Sequence, residues 1–294
     1  MNMIFDIFKI ESLINQFHKL TNLVITFCDS EFTHIASSGN WSEFCTLINK
    51  TPNYRCNYCD TCALMEAQKQ KRIYSYICHA GLLESIVPIL YDNIIIAYII
   101  IGEYRDTYGQ YSSPEKMLEF TSEYGINQQE LLNAYQKLPI LSDEQIESVF
   151  EIFKLFVRLM WKEGMIKNAE HSQYAQISSY IDMNLKSSFH IDDLCKHFFI
   201  SKNTLYKLVY ENSGMTVVEL IRSKRINHAR HLLMTTDLTI TQIAEECGFS
   251  DPNYFIRTFK KCLDISPLKF RKTTPKTENV IPAYKFDDIY PSEK

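Results

Sequence analysis

The chain has 294 residues, 46% hydrophobic and 22% charged, with 31 basic and 35 acidic side chains and a formal net charge of −4. That length suits two domains with separate cores, and the composition excludes wholesale disorder, while 8 Gly and 9 Pro exclude a collagen-like or linker-dominated chain. The longest apolar stretch, Ile94 to Ile101, falls far short of the roughly 20 residues that span a bilayer. Met1-Asn2-Met3-Ile4-Phe5-Asp6 also lacks a basic region before a long apolar segment, so the expectation is a cytoplasmic protein without a membrane partner.

Ile10, Leu13, Ile14 and Phe17 follow helical spacing and predict a helix from Phe8 to Phe17. Leu23 to Cys28 and Thr33 to Ser37 read as strands around the turn formers Asp29-Ser30. Next comes Cys56-Asn57-Tyr58-Cys59-Asp60-Thr61-Cys62, with Cys45 before it and Cys78-His79 after. Six of the nine cysteines therefore fall within the first 80 residues. In a reducing cytosol such clusters bind metal or do redox chemistry more often than they form disulfides. Two consecutive C-x-x-C spacings suit one tetrahedral zinc or three corners of an iron–sulfur cluster. Ordinary packed thiols are the competing reading.

Ser85 to Tyr91, Asp92-Asn93 and Ile94 to Ile101 predict a hairpin with a two-residue turn. The second strand is apolar on both faces and should be central. Ser113-Pro114-Glu115 starts a further helix, for which Gly125 is a suitable end. A longer helix is expected from about Asp143 to about Lys167. Its Ile146, Val149, Phe153, Phe156 and Met160 step 3, 4, 3, 4, as in a two-stranded coiled coil. Phe150 and Val157 widen that stripe, as packing within one domain would also require.

The last third holds a diverged repeat. Ile191-Asp192-Asp193-Leu194-Cys195 compares with Ile240-Thr241-Gln242-Ile243-Ala244, and Ile200-Ser201 with Phe249-Ser250. Each copy then enters a second helix, Lys202 to Asn212 and Pro252 to Leu263, giving two helix-turn-helix patterns. Gly248 suits the sharp turn in the second copy, whereas the first has Phe199 there. Thr216 to Met234 forms the connecting helix, with Arg222, Lys224, Arg225 and Arg230 on its polar side.

Residues 175–273 resemble the AraC/XylS-type DNA-binding domain. The resemblance is carried by Ile240 through Lys261, by Ser266-Pro267-Leu268-Lys269-Phe270-Arg271, and upstream by Arg225-Ile226 and Ala229 to Leu233. Asp264 stands where that family usually has Gly. The resemblance implies base contacts from Asn203, Tyr206 and Lys207 on the first recognition helix. On the second it implies Pro252, Asn253 and Arg257. Lys and Arg can donate to guanine and Asn can pair with adenine, while Lys202, Lys260 and Lys261 are candidates for phosphate. Leu205, Val209, Phe255 and Phe259 should be core.

Roughly residues 5–165 resemble the PocR sensory domain, through Phe44-Cys45, Cys56, Cys59-Asp60, Cys78-His79-Ala80-Gly81-Leu82 and Pro88 before the hairpin. Gly102-Glu103 replaces the usual Gly-Gln. The resemblance implies a PAS/GAF-like fold that senses small hydrocarbon derivatives, and it places Cys45, Cys56, Cys59 and Cys78 as the metal or redox set.

The resulting expectation is an α+β sensory domain, a PAS/GAF-like antiparallel sheet with helices, at 1–142. A connector or dimerisation helix follows at 143–170, then an all-α domain with two helix-turn-helix units at 175–273 and a flexible tail at 274–294. The division of charge agrees: residues 1–171 carry net −7, and residues 172–275 carry net +4. The function expected is a sequence-specific transcription regulator, an activator by family resemblance, and not an enzyme. Its expected partners are double-stranded DNA, RNA polymerase, a small-molecule effector and a second copy of itself. Zinc or an iron–sulfur cluster is the candidate cofactor. The alternatives are a zinc–cysteine methyl acceptor for DNA-alkylation repair on the same DNA-binding domain, and an architectural regulator without a ligand.

Overall fold

The computed structural model describes residues 3–51, 55–91, 94–168, 172–187 and 190–272. The hairpin turn Asp92-Asn93 and the tail at 274–294 lie outside the described residues. In chain order the elements begin with β1 (Met3–Phe5), α1 (Ile7–Thr21), β2 (Val24–Asp29), β3 (His34–Ser37), α2 (Glu43–Asn49) and α3 (Cys56–Gln70). Then come β4 (Tyr74–Ile77), β5 (Leu83–Tyr91), β6 (Ile94–Asp106), α4 (Pro114–Phe120), α5 (Gln128–Gln136), β7 (Ile140–Leu141) and α6 (Asp143–Lys162). The remainder is β8 (Ile166–Asn168), α7 (Gln173–Met183), α8 (Ile191–His197), α9 (Lys202–Ser213), α10 (Val217–Thr235), α11 (Ile240–Glu246), α12 (Pro252–Leu263) and α13 (Pro267–Lys272). The described residues of 11–159 form one compact unit, and those of 160–274 with those of 1–10 form another.

The first unit is built on an antiparallel sheet of order β3-β2-β6-β5-β4, to which β7 adds in parallel beside Arg105 and Asp106 of β6. The apolar run that reads as a central strand is central: β6 is buried without a break from Ile96 to Tyr104. On one face Tyr76, Ile86, Tyr98 and Ile100 pack with Phe44 of α2, Leu64 and Ala67 of α3 and Tyr135 of α5. Strand alternation turns the equally buried Ile99 and Ile101 to the other face. Ser75 Oγ, Ser85 Oγ and Tyr104 Oη cross the sheet as a buried ladder, with spacings of 2.7 and 2.8 Å.

Two helix ends differ from the sequence expectation. Ser113 caps α4 through Lys116 N–H as expected, but the helix stops at Phe120. Gly125, at φ 67°, instead closes a following 3-10 turn. α6 stops at Lys162 because the chain enters a left-handed Gly164, at φ 64°. Beyond it, β8 pairs antiparallel with β1, matching Phe5 with Ile166 and Met3 with Asn168. The 3–4 spacing in α6 also proves to be intradomain packing. Ile146, Val149 and Phe153 are buried, and Phe17 of α1 meets the rings of Phe153 and Phe156 at 4.7 and 5.5 Å.

In the second unit α10 lies between two helix-turn-helix copies. The first core joins Ile177, Leu194, Leu205, Val209, Val217 and Leu220. The second runs from Phe249 to Phe255, Phe259 and Phe270 through tilted and edge-on ring contacts, with successive centroids 5.2, 5.7 and 5.6 Å apart. The cations expected on the polar side of α10 hold the fold together: Lys224 pairs with Asp182 at 2.7 Å, Arg225 donates to Ser187 O at 2.7 Å, and Arg230 is buried. Among the described residues no helix is long and apolar enough to cross a membrane.

Candidate nucleic-acid interface and sensory core

Each helix-turn-helix copy makes its turn with the same backbone bonds. Phe199 N–H and Ile200 N–H reach Lys196 O and Cys195 O, as Gly248 N–H and Phe249 N–H reach Glu245 O and Ala244 O. The recognition helices then start on side-chain caps. Ser201 accepts from Thr204 N–H, and Asp251 accepts from Asn253 N–H and Tyr254 N–H. In the second copy the cap is Asp251 and not Ser250, so one more residue separates its turn from its recognition helix than in the first. The caps satisfy first-turn N–H groups that would otherwise lack partners.

Leu205, Val209, Phe255 and Phe259 are fully buried, as the sequence implies. Their burial turns the opposite helix faces to solvent. Lys202, Asn203, Tyr206 and Lys207 on α9 are exposed, as are Asn253, Arg257 and Lys260 on α12, while Pro252 is half-buried. The two faces carry the same chemistry. Asn203 precedes Lys207 by four residues, and Asn253 precedes Arg257 by four, so each helix shows an amide and a cation one turn apart. An amide can pair with adenine and a cation can donate to guanine O6 and N7.

Three of these cations are held by carboxylates in the free chain. Lys202 Nζ lies 2.7 Å from Asp192, Lys207 3.7 Å from Glu211, and Arg257 3.8 Å from Asp251. Pairs this exposed contribute little, so a phosphate or base edge can replace the carboxylate at small cost. The sequence reading omits Tyr210 and Tyr254, which stand 57% and 50% exposed on the same helices. Tyr210 lies four residues beyond Tyr206, a spacing that could have revealed it.

A second set of polar groups in the sensory unit lies on the face covered by α2 and α3. Tyr76 Oη contacts Asp60 Oδ1 at 2.9 Å and Glu84 Oε2 more closely. A phenol has a single proton to donate, so one carboxyl must carry its own. That carboxyl is Glu84, which burial and then the Asp60 charge hold well above the ordinary carboxylate range. Glu103 is also buried, at a left-handed φ of 64°, and its Oε2 accepts from Ser42 N–H at 2.7 Å just before α2. Glu103 thus ties the end of β6 to the cap of the helix that carries Cys45.

The expected cysteine set is divided. Cys45, Cys59 and Cys78 belong to one core with Phe44 and Tyr76. Burial above all pushes their thiols well above the usual range, which keeps them neutral. Cys56 turns instead to His79 Nε2 at 3.2 Å and Asn49 Oδ1 at 3.3 Å. Burial and then Arg55 lower the His79 imidazole to about 4, and its Nδ1 lies 2.6 Å from Tyr124 Oη. Among the described residues no three His, Cys, Asp or Glu side chains, these four cysteines included, are placed to hold a metal ion.

Comparison with known proteins matches two separate parts of the chain. A family model described as the sensory domain found in PocR matches residues 3–165, and a helix-turn-helix domain model matches residues 194–273. The regulatory protein PocR of Salmonella typhimurium is 23% identical over 289 residues, covering 90% of this chain and 93% of that protein. The HTH-type transcriptional activator RhaR of Escherichia coli K12 is 35% identical over 88 residues, 30% of this chain and 31% of RhaR. Among solved structures, an AraC-type transcriptional regulator from Chromobacterium violaceum is 26% identical, covering 37% of this chain and 98% of that one, with a TM-score of 0.34. The chain belongs to the family of transcription regulators that join a PocR sensory domain to an AraC-type helix-turn-helix domain.

Proposed function

We propose that the chain is a cytoplasmic, homodimeric activator that reads a specific DNA sequence and engages RNA polymerase when a small molecule binds its sensory unit. The observation that carries this reading is the repeated Asn–cation pair on the exposed faces of α9 and α12, backed by buried Leu205, Val209, Phe255 and Phe259. Activation is supported by the RhaR relative, which is named as an activator. The families matched give no support to the methyl-acceptor alternative.

The effector signal has a covalent route toward the DNA-binding unit. The unit boundary falls within α1, between Ile10 and Glu11, and within α6, between Leu159 and Met160. Each helix therefore has residues in both units, and a change in the sensory sheet that shifts either one reaches the other unit through continuous helix. A redox signal is a second reading, favoured by the Cys56–His79 contact.

The test is selection of bound fragments from genomic DNA by the full chain, followed by fluorescence anisotropy on the selected site with and without a panel of small diols, aldehydes and amines. A selected site whose affinity or transcription changes with one compound supports the reading. Binding of equal strength to selected and random fragments would overturn it.

A further inference from the structure

We propose that α6 pairs antiparallel with α6 of a second copy of this chain, crossing near Leu155. This names the surface for the homodimer proposed above and rests on that reading.

The face of α6 turned away from its own core is apolar in the middle. Ile152, Leu155 and Leu159 are 40%, 60% and 38% exposed, while Ile146, Phe150, Phe153 and Val157 fill the opposite face. Steps of three and four residues place the exposed three in one stripe. An exposed apolar stripe of this kind marks a contact surface.

The charges along the stripe identify the occupant. Glu144 and Glu151 flank it toward the start of the helix, and Arg158 and Lys162 flank it toward the end, all four exposed. At 100° per residue these four lie on the same side of the helix as Leu155. Two parallel copies would set Glu on Glu and Arg on Arg. Two antiparallel copies crossing at Leu155 set the acidic half of each on the basic half of the other, with Glu151 beside Arg158 of the second copy. The face is complementary to itself after a half-turn, which is the requirement for a two-fold interface.

Local effects account for only part of this pattern. The helix dipole favours acids in the first turn and bases in the last, which covers Glu144 and Lys162 but not Glu151, in the helix interior. Glu151 does pair with Lys154 at 2.5 Å, on the side away from Leu155. Arg158 makes no ion pair among the described residues, although it stands exposed one turn from Leu155.

Sedimentation velocity on the full chain, over a range of concentrations, tests the pairing. Glu151→Arg and Arg158→Glu, each alone, should raise the dimer dissociation constant about tenfold or more, since each puts like charges together twice per dimer. The double variant should restore it, and Leu155→Asp should leave monomer. All three positions are exposed, so unchanged melting temperatures will show that the variants fold. A wild-type dimer that tolerates Leu155→Asp and both single reversals overturns this surface while sparing the homodimer. Single reversals that weaken the dimer without rescue by the double variant overturn the antiparallel register. A wild-type chain that stays monomeric, free or DNA-bound, overturns the homodimer and this pairing together.

Discussion

Phe199 and Gly248 occupy the same position in the two turns, with φ of 53° and 75° and matching backbone bonds, yet only one of them is glycine. The difference lies in what surrounds each Cβ. A Cβ on Gly248 would sit 2.1 Å from Leu185 O and 2.8 Å from an Arg225 guanidinium nitrogen. Phe199 is 95% exposed, so its side chain meets no such wall and only the left-handed backbone is unfavourable. That backbone costs a non-glycine residue about 1–2 kcal/mol, of which glycine returns part as extra unfolded-state entropy. Phe199→Gly should therefore raise stability by about 0.5–1 kcal/mol in urea unfolding. Gly248→Ala should lower it by about 2 kcal/mol or more, because strain and a backbone clash add.

The paired recognition faces separate two kinds of contact. Arg257→Ala should weaken binding to the selected site by about 1–3 kcal/mol and change little on random DNA, as loss of a base contact does. Lys260→Ala should weaken both by similar factors and reduce the salt slope by about 1, as loss of a phosphate contact does. Anisotropy titrations at several salt concentrations distinguish these outcomes. Equal losses from Arg257→Ala on both DNAs would move Arg257 into the phosphate class.

Much of this was readable in the residues because local chemistry and tertiary packing agree there. The continuous apolar run of β6 needs cover on both faces and receives it. The helix-turn-helix copies carry their own caps, Ser201 and Asp251, and their own buried stripes. The cysteine segment is ambiguous for a physical reason. C-x-x-C is a metal-ligand spacing, but it is also nearly one helical turn, and residues 56–62 form the first two turns of α3. That helix is weakly amphipathic, so periodicity did not reveal it. The pairing of β1 with β8 joins residues about 160 positions apart in short strands, and no local signal encodes it. The burial of Glu84 and Glu103 was equally hidden, since nothing in a lone Glu records what will cover it.

Glu84 makes stability depend on pH in a defined direction. Burial, with Asp60 beside it, raises its carboxyl in the folded state, whereas the unfolded chain releases that proton near about 4.3. Above that value the folded chain binds more protons than the unfolded one, so this contribution to stability is full at low pH and is lost as the pH rises toward the folded value. Glu84→Gln keeps a donor toward Asp60 and Tyr76 but cannot ionise. The variant should match the wild type near pH 5 and exceed it at pH 8, as read from urea midpoints across that range. A constant difference between the two proteins at every pH would mean that Glu84 does not titrate there.

Thiol reactivity should follow the division of the cysteines between the two environments. Alkylation requires thiolate. Cys45, Cys59 and Cys78 are held neutral, chiefly by burial, and should react slowly with iodoacetamide in the folded chain. Cys56 differs in two respects. It occupies the first position of the 15-residue helix α3, and its Sγ faces His79 Nε2 at 3.2 Å. A helix N-terminus favours negative charge, and the imidazole, which burial keeps neutral, offers Nε2 as a hydrogen-bond acceptor to the thiol. Tyr124 Oη at Nδ1 fixes the ring so that Nε2 points to the sulfur. Limited labelling followed by peptide mass spectrometry should find Cys56 modified ahead of Cys45, Cys59 and Cys78. His79→Phe should slow Cys56 several-fold and leave those three unchanged. Labelling of Cys78 or Cys59 at the same rate as Cys56 would show that the core opens on the timescale of the reaction, and the contrast between the two thiol environments would then fail.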